Sequence, residues 1–410
     1  IRDSYEWITG KTLDLNNLQN RARHVPLFDP NTYVTCEQTR SARHGIIVNG
    51  LGVAGLCPTI RRTAAWEAAT ATKPLAARDR LAVNLDVTTE ERINSFLATR
   101  ESHSTYAIEG EQSSPKNDDI FYALLKQCTA RDQLLLSKSV LCYLQSTLLH
   151  DHLGTQRGCY RTHQIWVGDR VGDRAVPHHI APKAADVPAF MDAFCHIANS
   201  ITTASRTGAI DPIAGAVVTS GLLAYIHPFD DGNGRVGRLL LQQPLTNTTE
   251  NRRLYIPVSA AINRRREAYY DSLDAWSKPL LGRIKFDHVQ GGVAVTNDTT
   301  QLYRFPDVTR YAEFIAEACS EAVTKDLVEE QQTLAVYDLA HQHLQRSGLG
   351  DRQAHLFFKL SLQNKWKISK RKERFFPELT QQDFISLSEK LESAANKAGL
   401  GSRAPAIGKV

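Results

Sequence analysis

The chain has 410 residues, and at roughly 150 residues per domain that is enough for two to three domains with a sizeable core. Hydrophobic residues make up 42% and charged residues 23%, an ordinary balance that excludes a disordered, collagenous or coiled-coil chain as a whole. Lys plus Arg number 49 against 44 Asp plus Glu, a mild basic excess that neither requires nor forbids an anionic partner. Seven cysteines, at 36, 57, 128, 142, 159, 195 and 319, are scattered without a C-x-x-C pair. Neither a zinc site nor a disulfide framework is expected from that spacing, and a reducing compartment suits it. No charged-then-apolar leader is visible, although Ile1 rather than a methionine begins the chain; the expected localisation is cytoplasmic.

In chain order, residues 1–87 are Gly/Pro-interrupted and form an N-terminal region of unknown role, with one short helical signal from Thr63 to Thr72. Thr88 with Glu91 three residues later reads as a capping box, and Ile93, Phe96 and Leu97 continue at helical spacing, which predicts a helix over about 89–110. Apolar sets at Ile120/Leu124/Leu125, Val140/Leu141/Leu144/Leu148 and Phe190/Phe194/Ile197 predict further helices. Between them, Ile165 to Ile180 has β-favouring runs around Gly168-Asp169 and Gly172-Asp173, which predicts a small hairpin. The longest apolar stretch, Ile213 to Ile226, is interrupted by Thr219 and Ser220 and falls short of the ~20 residues of a membrane span. It reads as a buried helix, and no membrane partner is expected. Helical patterns return over 298–410, broken at Pro306 and Gly348 to Gly350, and predict a helical C-terminal region.

The chemistry concentrates at 227–238, His227-Pro-Phe229-Asp-Asp231-Gly232-Asn233-Gly234-Arg235-Val-Gly-Arg238. Gly232 and Gly234 let the backbone turn so that its N–H groups converge at the start of a helix, where the dipole also favours anions. Arg235 and Arg238, three apart, are expected to offer planar forks to the same phosphate chain. Asp231 can hold a hard cation such as Mg²⁺, which binds through one or two carboxylates plus substrate phosphates. His227 stands at the mouth as a candidate general base. Taken singly, each residue has a plainer reading as a turn, a core histidine or a solvated cation.

Together they match the signature H-x-F-x-[D/E]-G-N-G-R-x-x-R at all eight specified positions, and the chain resembles the Fic family. Gly158-Cys-Tyr160-Arg161, Ile165 to Gly168 and Val187-Pro188 upstream, with Arg266 and Tyr269-Tyr270 downstream, are similar to the segments flanking that family's loop. The resemblance covers roughly 88–290 and implies an all-α, mainly helical Fic core with a small β-hairpin flap over about 165–180. It implies transfer of AMP from ATP to a Ser, Thr or Tyr hydroxyl of a target protein, with His227 as base and Phe229 anchoring the loop. Asp231 would hold Mg²⁺, Gly232, Asn233 and Gly234 would form the anion hole, and Arg235 and Arg238 would bind the loop and the outer phosphates. The Gly-Asn-Gly element argues against the family's phosphotransferase branch.

The predicted helix closes with Thr105, Glu109 and Gly110, which fit the family's inhibitory pattern [S/T]-x-x-x-E-[G/N] in the class whose inhibitory helix precedes the loop. The resemblance implies that Glu109 pairs with Arg238 and blocks productive ATP binding. A target protein is expected to dock on the flap by β-augmentation. Self-modification and a homodimer are further partner expectations. Removal of AMP by the same site is one alternative activity. A nucleotide-gated, DNA-associated regulator is another, resting on Lys365, Lys367, Lys370, Arg371, Lys372 and Arg374 near Trp366, Phe375 and Phe376, although a solvated face is the expected role of that run.

Overall fold

The computed structural model describes residues 5–6, 9–16, 24–36, 39–83, 85–130, 134–151, 156–172, 174–246, 254–290, 292–346, 348–364 and 366–398. Asp173 of the expected hairpin turn, Lys365 of the basic run and the end of the expected C-terminal region, 399–410, lie outside them. Fifteen helices are described: α1 (Ala64–Ala71), α2 (Pro74–Ala82), α3 (Val87–Ile108), α4 (Pro115–Cys128), α5 (Lys138–Leu148), α6 (Val187–Arg206), α7 (Pro212–Ile226), α8 (Asn233–Leu245), α9 (Val258–Arg264), α10 (Arg266–Leu281), α11 (Thr309–Glu321), α12 (Val328–Arg346), α13 (Asp351–Gln363), α14 (Lys370–Glu373) and α15 (Gln381–Lys397). Strands are few. A small sheet takes β1 (Val25–Pro26) parallel and β2 (Thr39–Ser41) antiparallel to β3 (Ile46–Val48). Two hairpins follow, β4 (Trp166–Val171) with β5 (Arg174–Ile180) and β6 (Phe286–Val289) with β7 (Gly292–Val295). The fold is mainly helical, as expected, with the first hairpin where the flap was expected.

The predicted bounds of α3 need one correction. Its N-cap is Asp86, whose carboxylate accepts from the Thr89 N–H at 2.9 Å, so the helix begins at Val87 and the Thr88/Glu91 box does not cap it. A short acidic side chain one residue before the helix reaches the third N–H directly.

α7 is the central element. Asp211 caps it by accepting from the Ile213 N–H at 2.8 Å, Pro212 opens it, and the helix is buried almost all round, which is why no polar face is legible. Thr219 and Ser220 are accommodated because their hydroxyls donate to the carbonyls of Gly215 (3.0 Å) and Ala216 (2.7 Å). α6, α8 and α11 pack against α7, and α3 packs against α4, α8 and α9. The main core takes in Leu51, Leu56, Ile60 and Trp66 from the N-terminal region, and Tyr311, Ile315 and Leu327 from the C-terminal stretch. A second core, built from Val336, Phe357, Phe358, Trp366, Phe376, Phe384 and Leu391, begins only within α12, so the C-terminal stretch acquires its own interior about forty residues after 298. β6–β7 was not expected. Its signal, an alternating Ile284-Lys-Phe286-Asp run and a β-favouring Val293-Ala-Val295 run on either side of Gly291-Gly292, is a hairpin pattern.

Candidate active site

The loop between α7 and α8 is held from both ends. α7 stops at His227, which takes a left-handed backbone (φ 53°), and α8 starts after Gly232 (φ 84°). Phe229 is fully buried, with its ring 5.6 Å from that of Tyr160, and so ties the loop to the core. Asn233 closes the turn on itself: its Oδ1 accepts from the Phe229 N–H at 2.9 Å and its Nδ2 donates to the Phe229 carbonyl at 2.8 Å. Gln145 adds a brace, with Nε2 donating to the Asp231 carbonyl at 3.1 Å and Oε1 accepting from the Gly158 N–H at 2.8 Å.

The last carbonyls of α7, which a helix end leaves unpaired, all have partners. Leu223 accepts from the His227 N–H (2.9 Å), Ala224 from the His227 ring Nδ1 (3.2 Å) and Tyr225 from the His179 Nε2 (2.9 Å). Arg161 covers the rest, with Nε donating to the His227 carbonyl at 2.7 Å and Nη2 to that of Ile226 at 3.4 Å. Arg161 is 2% exposed and bonds to carbonyls; burial pulls its guanidinium down to about 10, which still leaves it charged at neutral pH. His179 is also buried, and burial pushes its imidazole down to about 3, so no second cation stands beside His227, whose ring lies 6.5 Å away. Arg161 entered the sequence reading without a role, and His179 was not singled out. Neither could be read from spacing, because their acceptors are backbone atoms 66 and 46 positions distant.

Because a carbonyl can only accept, the Ala224 contact places the His227 proton on Nδ1 and leaves Nε2 with its lone pair. Burial lowers the pKa of His227 from the ordinary value, with the Arg161 charge adding to the effect. The ring lines a cleft of about 730 Å³ whose other walls are Glu109, Asp231, Gly232–Gly234, Arg238, the flap at Val167–Asp169 and α10.

The two arginines separate. Arg238 (3% exposed) faces the cleft and is held by the residues of the expected inhibitory pattern. Its Nε donates to the Thr105 hydroxyl at 2.5 Å and its Nη2 to the Glu109 carboxylate at 2.5 Å. Arg235 does not line the cleft. It is fully buried, pairs with Glu111 at 2.7 Å and Asp231 at 3.1 Å, and lies 5.4 Å over the Tyr106 ring, so the shared phosphate site expected of the two cations is not what the geometry provides. Residues three apart on a helix point about 60° apart, and here α3 and its following turn occupy the direction Arg235 takes.

Glu109 also sits at the α8 N-terminus. A Cβ added to Gly234 would collide with Glu109 Oε1. The carboxylate thus rests where the first-turn N–H groups and the helix dipole favour an anion. Its own position is fixed from α10: Arg266 donates to the Ala107 carbonyl at 2.5 Å and the Tyr270 hydroxyl to that of Ile108 at 3.1 Å, while Gly110 takes the left-handed conformation (φ 79°) that ends α3.

One helical turn before Thr105, Glu101 is 1% exposed and accepts from the Ser259 N–H at 2.8 Å and hydroxyl at 2.6 Å. Burial pushes its carboxyl up from 4.5 to about 7. Between those values the folded chain keeps a proton that the unfolded chain has lost, so this group lowers stability as pH rises through the window. In urea unfolding, wild type is therefore expected to lose stability relative to Glu101→Gln between pH 5 and pH 8. A difference that stays constant over that range would show that Glu101 does not titrate there.

Asp231 lines the cleft with its carboxylate 39% exposed and one edge taken by Arg235. Asp230 also lines it, with Oδ1 buried and without a hydrogen bond. Hard oxygen donors at the mouth of an anion site fit Mg²⁺ carried in with phosphates, which takes one or two protein carboxylates. Among the described residues no group of three or more His, Cys, Asp or Glu forms a metal cage of its own. No described helix is long and apolar enough to cross a membrane.

Comparison with known proteins adds the family. The Fic/DOC family model matches residues 135–245, which hold α5, the flap, α7 and the whole 227–238 loop. A Drosophila mojavensis protein named protein adenylyltransferase Fic is 30% identical over 142 residues, 35% of this chain and 23% of that protein. A Nematostella vectensis protein of the same name is 35% identical over 86 residues, 21% of this chain and 17% of that protein. The match thus spans under a quarter of either relative. A crystal structure of a Fic family protein from Desulfovibrio desulfuricans superposes with a TM-score of 0.45 at 20% identity, covering 78% of this chain and 94% of that one.

Proposed function

The chain belongs to the Fic/DOC family by its domain at residues 135–245, and from that premise we propose that it is an autoinhibited protein adenylyltransferase. The observation that carries the reading is the convergence of His227, the α8 N-terminus and Arg238 on one cleft beside the flap. A target hydroxyl held at the flap gives its proton to His227 Nε2 as its oxygen attacks the α-phosphorus of ATP. The new O–P bond forms as the bond to the β-phosphate oxygen breaks, and pyrophosphate leaves. The first-turn N–H groups of α8 and its dipole face the charge that builds on the phosphoryl oxygens, and Arg238 supplies a fixed cation to the outer phosphates. Arg235 acts at one remove by fixing Asp231. Mg²⁺, held at Asp231, would offset the charge of the triphosphate.

Glu109 bonds the cation that the outer phosphates need and rests over Gly234. Nucleotide binding with the phosphates in line for transfer requires that carboxylate to leave, which is the brake. AMP removal is the second reading, supported by Glu109 being 34% exposed within the cleft, where it could orient a water molecule. Incubation of the protein with labelled ATP and lysate, read by mass spectrometry, tests both. Gain of an AMP group on protein hydroxyls is expected, and loss of AMP from a premodified protein without any gain selects the second reading.

Transfer is expected to require a divalent cation, and Asp231→Ala to lose activity together with the Mg²⁺-dependent part of ATP affinity. Isothermal titration with and without chelator measures that part directly. Full activity in excess chelator would remove the metal role of Asp231.

A further inference from the structure

The connection from α13 to α15 is pinned from below and charged above. Trp366 and Phe376 (each 1% exposed) and Leu379 bury into the second core. Between them Lys367, Lys370, Arg371 and Arg374 are exposed, Lys372 is partly so, and the two acids of the stretch are engaged by amides, Glu373 accepting from Gln381 at 2.7 Å and Glu378 from Gln353 at 2.8 Å. No ion pair among the described residues involves Lys367, Lys370, Arg371 or Arg374, a concentration of like charge that a merely solvated face does not need. Within the same stretch Phe375 is 48% exposed, and the Arg374 guanidinium lies 5.2 Å from its ring.

We propose that this surface, Lys367 to Phe375, binds single-stranded nucleic acid. The four exposed cations track phosphates, and Phe375 with Arg374 forms a flat platform on which a base stacks. A single strand suits the geometry better than a duplex, because α14 has four residues and cannot lie along a groove, while an unpaired base can come to the ring. A membrane surface suits it less, since one exposed aromatic just beyond a four-residue helix offers no continuous apolar face to bury. The site stands apart from the cleft, so it is independent of the transfer reading.

Fluorescence anisotropy of the full chain with a labelled single-stranded oligonucleotide tests it. Binding is expected to weaken with salt with a log–log slope of about −3, from about 0.7 per neutralised phosphate over four contacts. Lys370→Glu/Arg371→Glu, at exposed positions, should abolish binding with an unchanged melting temperature. Phe375→Ala should weaken the single strand about ten-fold and a duplex of the same sequence hardly at all. Equal affinity for strand and duplex, affinity unchanged in the charge-reversed variant, or binding to anionic phosphatidylserine vesicles with none to the oligonucleotide would overturn the proposal.

Discussion

Glu109→Gly is expected to raise AMP transfer strongly, onto the protein itself or onto a lysate target. The carboxylate holds Arg238 at 2.5 Å and covers Gly234, so its removal frees the cation and the helix terminus together. Shifting a braked site from 1:99 to 99:1 takes ~5.5 kcal/mol. An exposed ion pair supplies ~1 kcal/mol or less. This pair is asymmetric, with Arg238 3% and Glu109 34% exposed, and its strength comes from the guanidinium, which is buried and bonded to Thr105 as well. Removing Glu109 also leaves that buried cation without its carboxylate, so the variant should melt lower than wild type and recover more on adding a non-hydrolysable ATP analogue. Arg238→Ala should abolish transfer in both backgrounds, because the outer phosphates lose their ligand whether or not the brake is present. A Glu109→Gly protein no more active than wild type, with equal stabilisation of both by the analogue, would sink the brake.

His227→Ala should cost at least ~10² to 10⁴ in transfer rate, the usual size of a general-base contribution. The left-handed backbone at φ 53° costs a residue with a Cβ about 1–2 kcal/mol, a strain that histidine already carries, and alanine also loses the ring's bond to the Ala224 carbonyl. His227→Asn, which tolerates that conformation, separates the chemistry from the strain and should be equally inactive while melting closer to wild type. Because burial lowers the pKa of His227, its neutral, proton-accepting form persists into more acidic solution than an ordinary histidine's. The acid limb of kcat/KM should therefore lie below pH 6.5. Retention of more than a tenth of wild-type transfer in His227→Asn, or an acid limb above 6.5, would take the base role away from this residue.

What could be read along the chain is whatever is local. The loop is legible because a histidine, a buried phenylalanine, two helix-starting glycines and two arginines must sit at short fixed spacings for one turn to join two helices around an anion. α7 and the flap hairpin are legible for the same reason, the first from an apolar run of helical length and the second from turn dipeptides between β-favouring runs. Thr105, Glu109 and Gly110 also stand at the spacing of one helix end. That Glu109 meets Arg238 followed from family resemblance alone, because 129 residues separate them and only the packing of α3 on α8 brings them together. Packing likewise decided between two arginines that look equivalent in sequence, turning Arg238 to the cleft and Arg235 to Glu111. It recruited Arg161 and His179 to the end of α7 through backbone carbonyls, which carry no sequence signature. Side-chain identity encodes contacts within a turn of helix or a hairpin; which distant groups share a buried charge is settled only when the helices close around a common core.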